Sequence, residues 1–142
     1  MAFNKLKIRI KKNEGFSLKP YKDQLGYYTI GFGHLIRKNE DKYFKTKYKK
    51  KYLEQVFQLD FNKAINDYKK FLYKKNHKKN DKELLIEMLF QLGSRGVLKF
   101  RKMLFYLNKK QKYMVCLQML DSLWCKQTPL RVKNLIKNYL KD

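Results

Sequence analysis

Phe3, Leu6 and Ile10 stand three and four residues apart, the spacing that stacks side chains on one helix face, and Gly15 closes the run. Residues 3–13 therefore predict a short amphipathic helix with Glu14 at its C-terminal end. The period then changes. Over residues 20–36, Tyr, Thr, Ile and Phe are interleaved with glycines, and Asp23-Gln24-Leu25-Gly26 has turn composition, which predicts a hairpin of two short strands. Beyond a polar connector at 37–45, Tyr52, Val56, Leu59, Ala64, Tyr68 and Leu72 return at helical intervals and predict one long helix over 46–75, with Thr46 as its N-cap. A polar break at 76–80 leads to an apolar helix over 84–92, capped by Asn80 or Asp81 and closed by Gly93. Short helices are predicted at about 95–108 and 112–123. Thr128-Pro129 opens a last one, because Thr can cap free amides and Pro is tolerated at the first helical position. The pattern predicts an α+β domain over 1–142. It has a small β-lobe (15–45), a connecting helix (46–75) and a helical lobe (80–142) joined by the N-terminal helix, with a cleft between the lobes.

Composition narrows the function classes. Cys116 and Cys125 lie in apolar stretches without zinc-site or redox-pair spacing, so they read as reduced core thiols. No apolar run approaches the ~18 residues that cross a bilayer, and residues 1–12 alternate Lys with single apolar positions, so no transmembrane segment or signal peptide is expected. A cytoplasmic protein is the expectation. The net charge of +23, from 35 basic and 12 acidic residues, implies attraction to polyanions such as nucleic acid or cell-envelope polymers. It fits equally a base composition rich in A and T, since only five of the basic residues are Arg and Lys, Asn, Tyr, Phe and Ile abound.

Two acids stand where chemistry could use them. Glycoside hydrolysis needs one carboxyl group that keeps its proton for the departing oxygen and one that stays ionised nearby. Glu14, at the negative pole of a helix and partly buried in a cleft, would meet two influences that disfavour its charge. Asp23, beside a turn, would be wetter and remain a carboxylate. Thr29 on the returning strand can point its hydroxyl toward Asp23 with room for a water. Inversion with that water sets the carboxyl groups roughly 6.5–9.5 Å apart.

These residues sit in the string Asn13-Glu14-Gly15-Phe16-Ser17-Leu18-Lys19-Pro20-Tyr21-Lys22-Asp23, continuing Gln24-Leu25-Gly26-Tyr27-Tyr28-Thr29-Ile30-Gly31-Phe32-Gly33-His34-Leu35. It resembles the lysozymes of tailed bacteriophages, glycoside hydrolase family 24, whose pattern is Glu-Gly, then Tyr-x-Asp, then Gly-Tyr-x-Thr-Ile-Gly-x-Gly-His. A second block, Met88 to Gly93, Gly96-Val97, Phe100, Trp124, Gln127-Thr128-Pro129 and Arg131, resembles the helical lobe of the T-even phage lysozymes in the same order.

The resemblance implies Glu14 as proton donor, Asp23 as the residue that activates water and Thr29 as its helper. It implies an arginine, Arg131, paired with the catalytic Glu, which would favour the charged form. Leu35, Phe90, Gln91 and Gln118 match positions that line the saccharide cleft. Core packing is the competing reading for Phe90, and Met103 and Gln118 depart from the usual residues. His34 is expected to be structural, paired with Asp60 on the long helix. No metal ligand set and no cofactor are implied. Trp124 reads as a core ring rather than a sugar platform.

The chain is also shorter than typical members between Ile36 and Phe90 and beyond Arg131, which predicts fewer saccharide subsites. The expected substrate is bacterial peptidoglycan, cut between N-acetylmuramic acid and N-acetylglucosamine by a monomer during host lysis. Such an enzyme would stay in the host cytoplasm until a separate membrane-permeabilising protein releases it to the wall. The alternatives are a virion-borne enzyme acting at entry and a non-catalytic basic binder of nucleic acid or anionic envelope. No stable nucleic-acid partner is expected, because no nucleic-acid motif accompanies the charge.

Overall fold

A computed structural model describes residues 3–141 of the chain. It is α+β and divides into two compact units, one ending at Lys63 and the other starting at Ala64.

In the first unit, α1 (Asn4–Glu14) buries Leu6 and Ile10, and its Lys7 and Lys11 lay ammonium groups over the rings of Phe61, Phe32 and Phe57. The helix ends at Gly15, whose N–H donates to the Lys11 carbonyl at 3.0 Å, so Glu14 is its last residue. A three-stranded antiparallel sheet follows in the order β1 (Ser17–Lys22), β2 (Tyr28–Gly31), β3 (His34–Leu35). The hairpin register sets Ser17 against Gly31, Tyr21 against Thr29 and Lys22 against Tyr28. It is irregular between Ser17 and Tyr21, where Pro20 has no N–H for the ladder. The third strand has two residues, too few to show a period in the sequence.

Ile30 of β2 is buried with Tyr43 and Leu53, and Ile36, Tyr48 and Tyr52 pack around them. Tyr43 belongs to a short helix, α2 (Lys42–Lys45), that the polar connector conceals. Thr46 is not the expected N-cap of a helix over 46–75. It is extended (φ −126°, ψ 142°) and ends α2 with its N–H on the Lys42 carbonyl. The long helix, α3, runs Lys50–Asp67 and continues as a π-type turn, Tyr68–Leu72. Lys47, Lys49, Lys50 and Lys51 crowd the positive end of the helix dipole with no acidic residue in the first turn.

The second unit is helical. Here α4 (Lys79–Leu98) is broken at Gly93, whose φ of 73° only glycine adopts readily, and α5 (Arg101–Asn108), α6 (Lys112–Leu120), α7 (Leu123–Gln127) and α8 (Pro129–Leu140) follow. The helix expected over 95–108 is thus interrupted at residues 99–100. The one expected over 112–123 stops at Leu120, because Ser122 accepts the Cys125 N–H and starts α7. Of the two candidate caps of α4, Asp81 reaches back to the Lys78 N–H (2.9 Å) and takes Lys110 Nζ as well (2.6 Å). Pro129 occupies the first turn of α8 as expected, whereas the Thr128 hydroxyl turns back to donate to the Trp124 carbonyl instead of capping.

His77, in a lysine-rich segment, is buried. Its Nε2 donates to Asn108 Oδ1 (3.1 Å), so Nδ1 accepts from the Tyr68 hydroxyl (2.6 Å). Trp124 is buried edge-to-face with Phe100, ring centroids 5.7 Å apart, and Cys116 and Cys125 are free thiols. Among the described residues no helix is long and apolar enough to cross a membrane.

Candidate active site

Asp23 is built into the hairpin turn it precedes. Its Oδ1 accepts the N–H groups of Leu25 and Tyr27, both at 2.9 Å, while its own N–H donates to the Tyr27 carbonyl at 2.8 Å. The short polar side chain thus folds the turn and is oriented by it. Two residues on, Thr29 is buried and its hydroxyl donates to the same Tyr27 carbonyl at 3.1 Å. One residue, Tyr27, therefore holds both side chains, its N–H the Asp23 carboxylate and its carbonyl the Thr29 hydroxyl. With the Thr29 proton so engaged, its oxygen presents lone pairs, and Asp23 has a second carboxylate oxygen, Oδ2, beyond the one that serves the turn.

Glu14 arrives at the same unit from the end of α1. Phe16 and Phe32, rings 4.7 Å apart, close the chain on itself after α1, and Phe32 meets Phe57 of α3 edge-to-face at 5.8 Å. This brings the half-buried Glu14 against Gly33. A Cβ on Gly33 would lie 2.5 Å from Glu14 Oε1 and 2.7 Å from its Cδ, and Gly33 holds φ +78°. The glycine thus meets two demands, a left-handed backbone and a side of the chain bare enough for a carboxyl group to rest on. Tyr21, the cross-strand partner of Thr29, has its phenol raised above the ordinary value by burial, by Glu14 and by Asp23.

His34 is held between two carboxylates. Nδ1 is 2.8 Å from Asp60 Oδ2 in α3 and Nε2 is 3.1 Å from Glu40 Oε1, which also accepts the Arg37 N–H. A carboxylate on each ring nitrogen suits the doubly protonated ring, in which both nitrogens donate. Burial lowers its pKa, but the Asp60 hydrogen bond and charge, reinforced by Glu40, leave it raised. The Asp60 partner is the one expected from the sequence, while Glu40 was missed. Its signal is the Arg37-x-x-Glu40 spacing, a capping-box-like turn in which the Glu40 N–H also donates to the Arg37 carbonyl.

Leu35 is exposed on β3, opposite Thr29. The other expected cleft residues lie in the second unit. Phe90 is half-buried, and beside it Gln91 has a buried Oε1 without a hydrogen-bond partner among the described residues. Gln118 and Met103 share a recess of about 400 Å³ with Lys99, Arg101 and Lys102. Arg131 Nε is 3.5 Å from Oε2 of Glu87, a fully buried carboxylate that the sequence reading did not single out. Its signal is a second acid, Glu83, one helical turn earlier, with only apolar residues between the two. No group of three metal-ligating side chains gathers among the described residues.

The chain that bears this glutamate, aspartate and threonine has counterparts among known proteins. A family model described as "Phage lysozyme" matches residues 11–138. The chain belongs to the phage lysozyme family. It is 34% identical to "Probable T4-type lysozyme 2" of Dictyostelium discoideum, over 92% of this chain and 91% of that protein. With "Probable T4-type lysozyme 1" of the same organism the identity is 31% over the same shares. The fold is the lysozyme-like α+β fold, and the protein is a lysozyme-type hydrolase of peptidoglycan.

Two predictions follow from the packing in this lysozyme's first unit. Gly33→Ala displaces the Glu14 carboxyl and is expected to cut peptidoglycan hydrolysis by at least ~100-fold, beyond the roughly 1 kcal/mol that left-handed alanine costs in stability. Turnover rates beside urea unfolding curves check this, and a variant with wild-type turnover sinks it. Asp60→Asn is expected to cost ~1–2 kcal/mol of stability while leaving turnover intact. Because the folded pKa of His34 is raised, its contribution is complete below the unfolded value of about 6.5 and fades as pH rises through the folded value. The melting-temperature gap between wild type and Asp60→Asn should therefore be wide at pH 5.5 and narrow toward pH 9.

Proposed function

We propose that this lysozyme is an inverting N-acetylmuramidase that cuts the β-1,4 bond between N-acetylmuramic acid and N-acetylglucosamine. The observation that carries the reading is Tyr27, whose N–H holds the Asp23 carboxylate and whose carbonyl holds the Thr29 hydroxyl. A water between them can give one hydrogen to Asp23 Oδ2 and one to Thr29 Oγ1, which turns its oxygen lone pairs outward to the sugar. Glu14 gives its proton to the departing glycosidic oxygen, the C1–O bond breaks, the water attacks C1 from the opposite face, and Asp23 takes the water's proton. Charge passes from Asp23 to Glu14, so both groups must be reset by a proton exchange with solvent before the next turnover.

In this reading Leu35, Phe90, Gln91 and Gln118 contact the glycan. The unpartnered Gln91 Oε1 is suited to accept from a sugar N–H or hydroxyl. The +23 charge and the basic recess around Lys99, Arg101 and Lys102 favour anionic envelope polymers as the surroundings of the substrate. The enzyme serves host lysis, accumulating in the host cytoplasm until a separate membrane-permeabilising protein releases it to the wall.

Digestion of purified peptidoglycan by wild type and Glu14→Gln, with NMR of the new reducing ends, tests bond and stereochemistry together. N-acetylmuramic acid ends that first appear as the α-anomer are expected, with the variant slower by about 10²–10⁴-fold. N-acetylglucosamine ends, or a first-formed β-anomer, would refute the assignment. Activity on whole cell walls is expected to fall as salt rises from about 0.01 to 0.2 M, whereas hydrolysis of neutral chitooligosaccharides stays level. Equal salt dependence for both substrates would remove the role given to the charge.

A further inference from the structure

A helix on the outside of a protein ordinarily turns a polar face to water, and α6 does not. Its inner face buries Val115, Cys116 and Met119. After Lys112 every exposed position of the helix is aromatic or aliphatic, with Tyr113 78% exposed, Leu117 55% and Leu120 45%. These positions are four and three residues apart, so their side chains form one stripe along the helix. No charged residue interrupts 113–120, and Gln118 is half-buried. Leu123, which opens α7 three residues further on, is 69% exposed. The helix is thus apolar on two faces, of which the fold covers one.

The charges around the stripe decide what can cover the other. Exposed Lys109 and Lys112 precede it and exposed Lys126 follows it, against one exposed acid, Asp121. A second copy would bring the same lysines, and two net charges of +23, against each other. A nucleic acid would engage the lysines but gains nothing from the aliphatic Leu117, Leu120 and Leu123. An anionic lipid surface answers both features. Its headgroups attract the lysines, its acyl boundary receives the leucines, and Tyr113 can bury its ring there with the hydroxyl in water. We propose that α6, with Leu123, is a docking surface by which the protein lies on an anionic lipid bilayer. The attachment is peripheral, since among the described residues no helix is long and apolar enough to cross a membrane. It does not depend on the roles assigned to Glu14, Asp23 and Thr29.

The test is co-sedimentation of the full chain with vesicles of phosphatidylglycerol and phosphatidylcholine in equal parts, beside vesicles of phosphatidylcholine alone. Wild type is compared with the double variant Leu117→Gln, Leu120→Gln and with Tyr113→Ser, which alters the most exposed position of the stripe. Melting temperature and turnover of soluble peptidoglycan fragments should match wild type in both variants. Wild type is expected to bind the anionic vesicles at least ~tenfold more tightly than the neutral ones, and the double variant to lose at least ~tenfold of that affinity. Tyr113→Ser should lose about threefold, and it decides the matter if the double variant melts early. Net charge is the same in all three proteins, so binding through lysines alone would give equal affinities, and that result overturns the proposal. So does a wild type that binds anionic vesicles no better than neutral ones. Sedimentation equilibrium without vesicles examines the other occupant. A wild-type dimer that the variants break, with no binding to vesicles, would assign the stripe to a second copy and refute the lipid surface.

Discussion

The Glu14 carboxyl rests on the bare backbone of Gly33, and the rest of the first unit is arranged to keep it there. The end of α1 fixes where the glutamate leaves the helix. The Phe16–Phe32 contact then folds the chain back so that Gly33 passes under the side chain, and Phe57 of α3 braces Phe32 from behind. Lys11 spreads its charge over the Phe32 and Phe57 rings, where it is held by the aromatic faces and covers them from water.

The hairpin solves a second positioning problem with few atoms. Asp23, Tyr27 and Thr29 are joined by hydrogen bonds that the turn requires in any case, so the groups assigned to water are oriented by local structure rather than by distant packing. A side chain fixed in this way loses little further freedom when substrate binds. His34 carries the same logic one strand further, tying a two-residue strand to α3 through Asp60 and to the following loop through Glu40.

What could be read in the sequence was what is local. Glu14 at a helix end, Asp23 before a glycine turn and Thr29 on the returning strand are separated by at most fifteen residues, so spacing and turn chemistry place each one, while the resemblance of the whole string groups them. The roles of Gly33 and Glu40 were not legible, because each depends on the close approach of an atom from another element. The break between α2 and α3 escaped the periodic reading because the first periodic positions, Tyr52 and Val56, both lie inside α3, so only Thr46 as a candidate cap set the start of the helix. In the second unit Glu87 was not singled out from the sequence, and only its total burial beside Arg131 gives it meaning.

The irregular stretch of β1 has a bearing on how the protein behaves at high concentration. Strand β1 is an outer strand of its sheet, and a flat outer strand offers its unpaired amides and carbonyls to any passing chain. Here that invitation is withdrawn by a displaced register, by a proline without an N–H and by Lys19 and Lys22, exposed along the same six residues. A second copy finds no continuous ladder on which to add a strand. The hairpin that bears Asp23 and Thr29 is thereby protected against edge-to-edge aggregation.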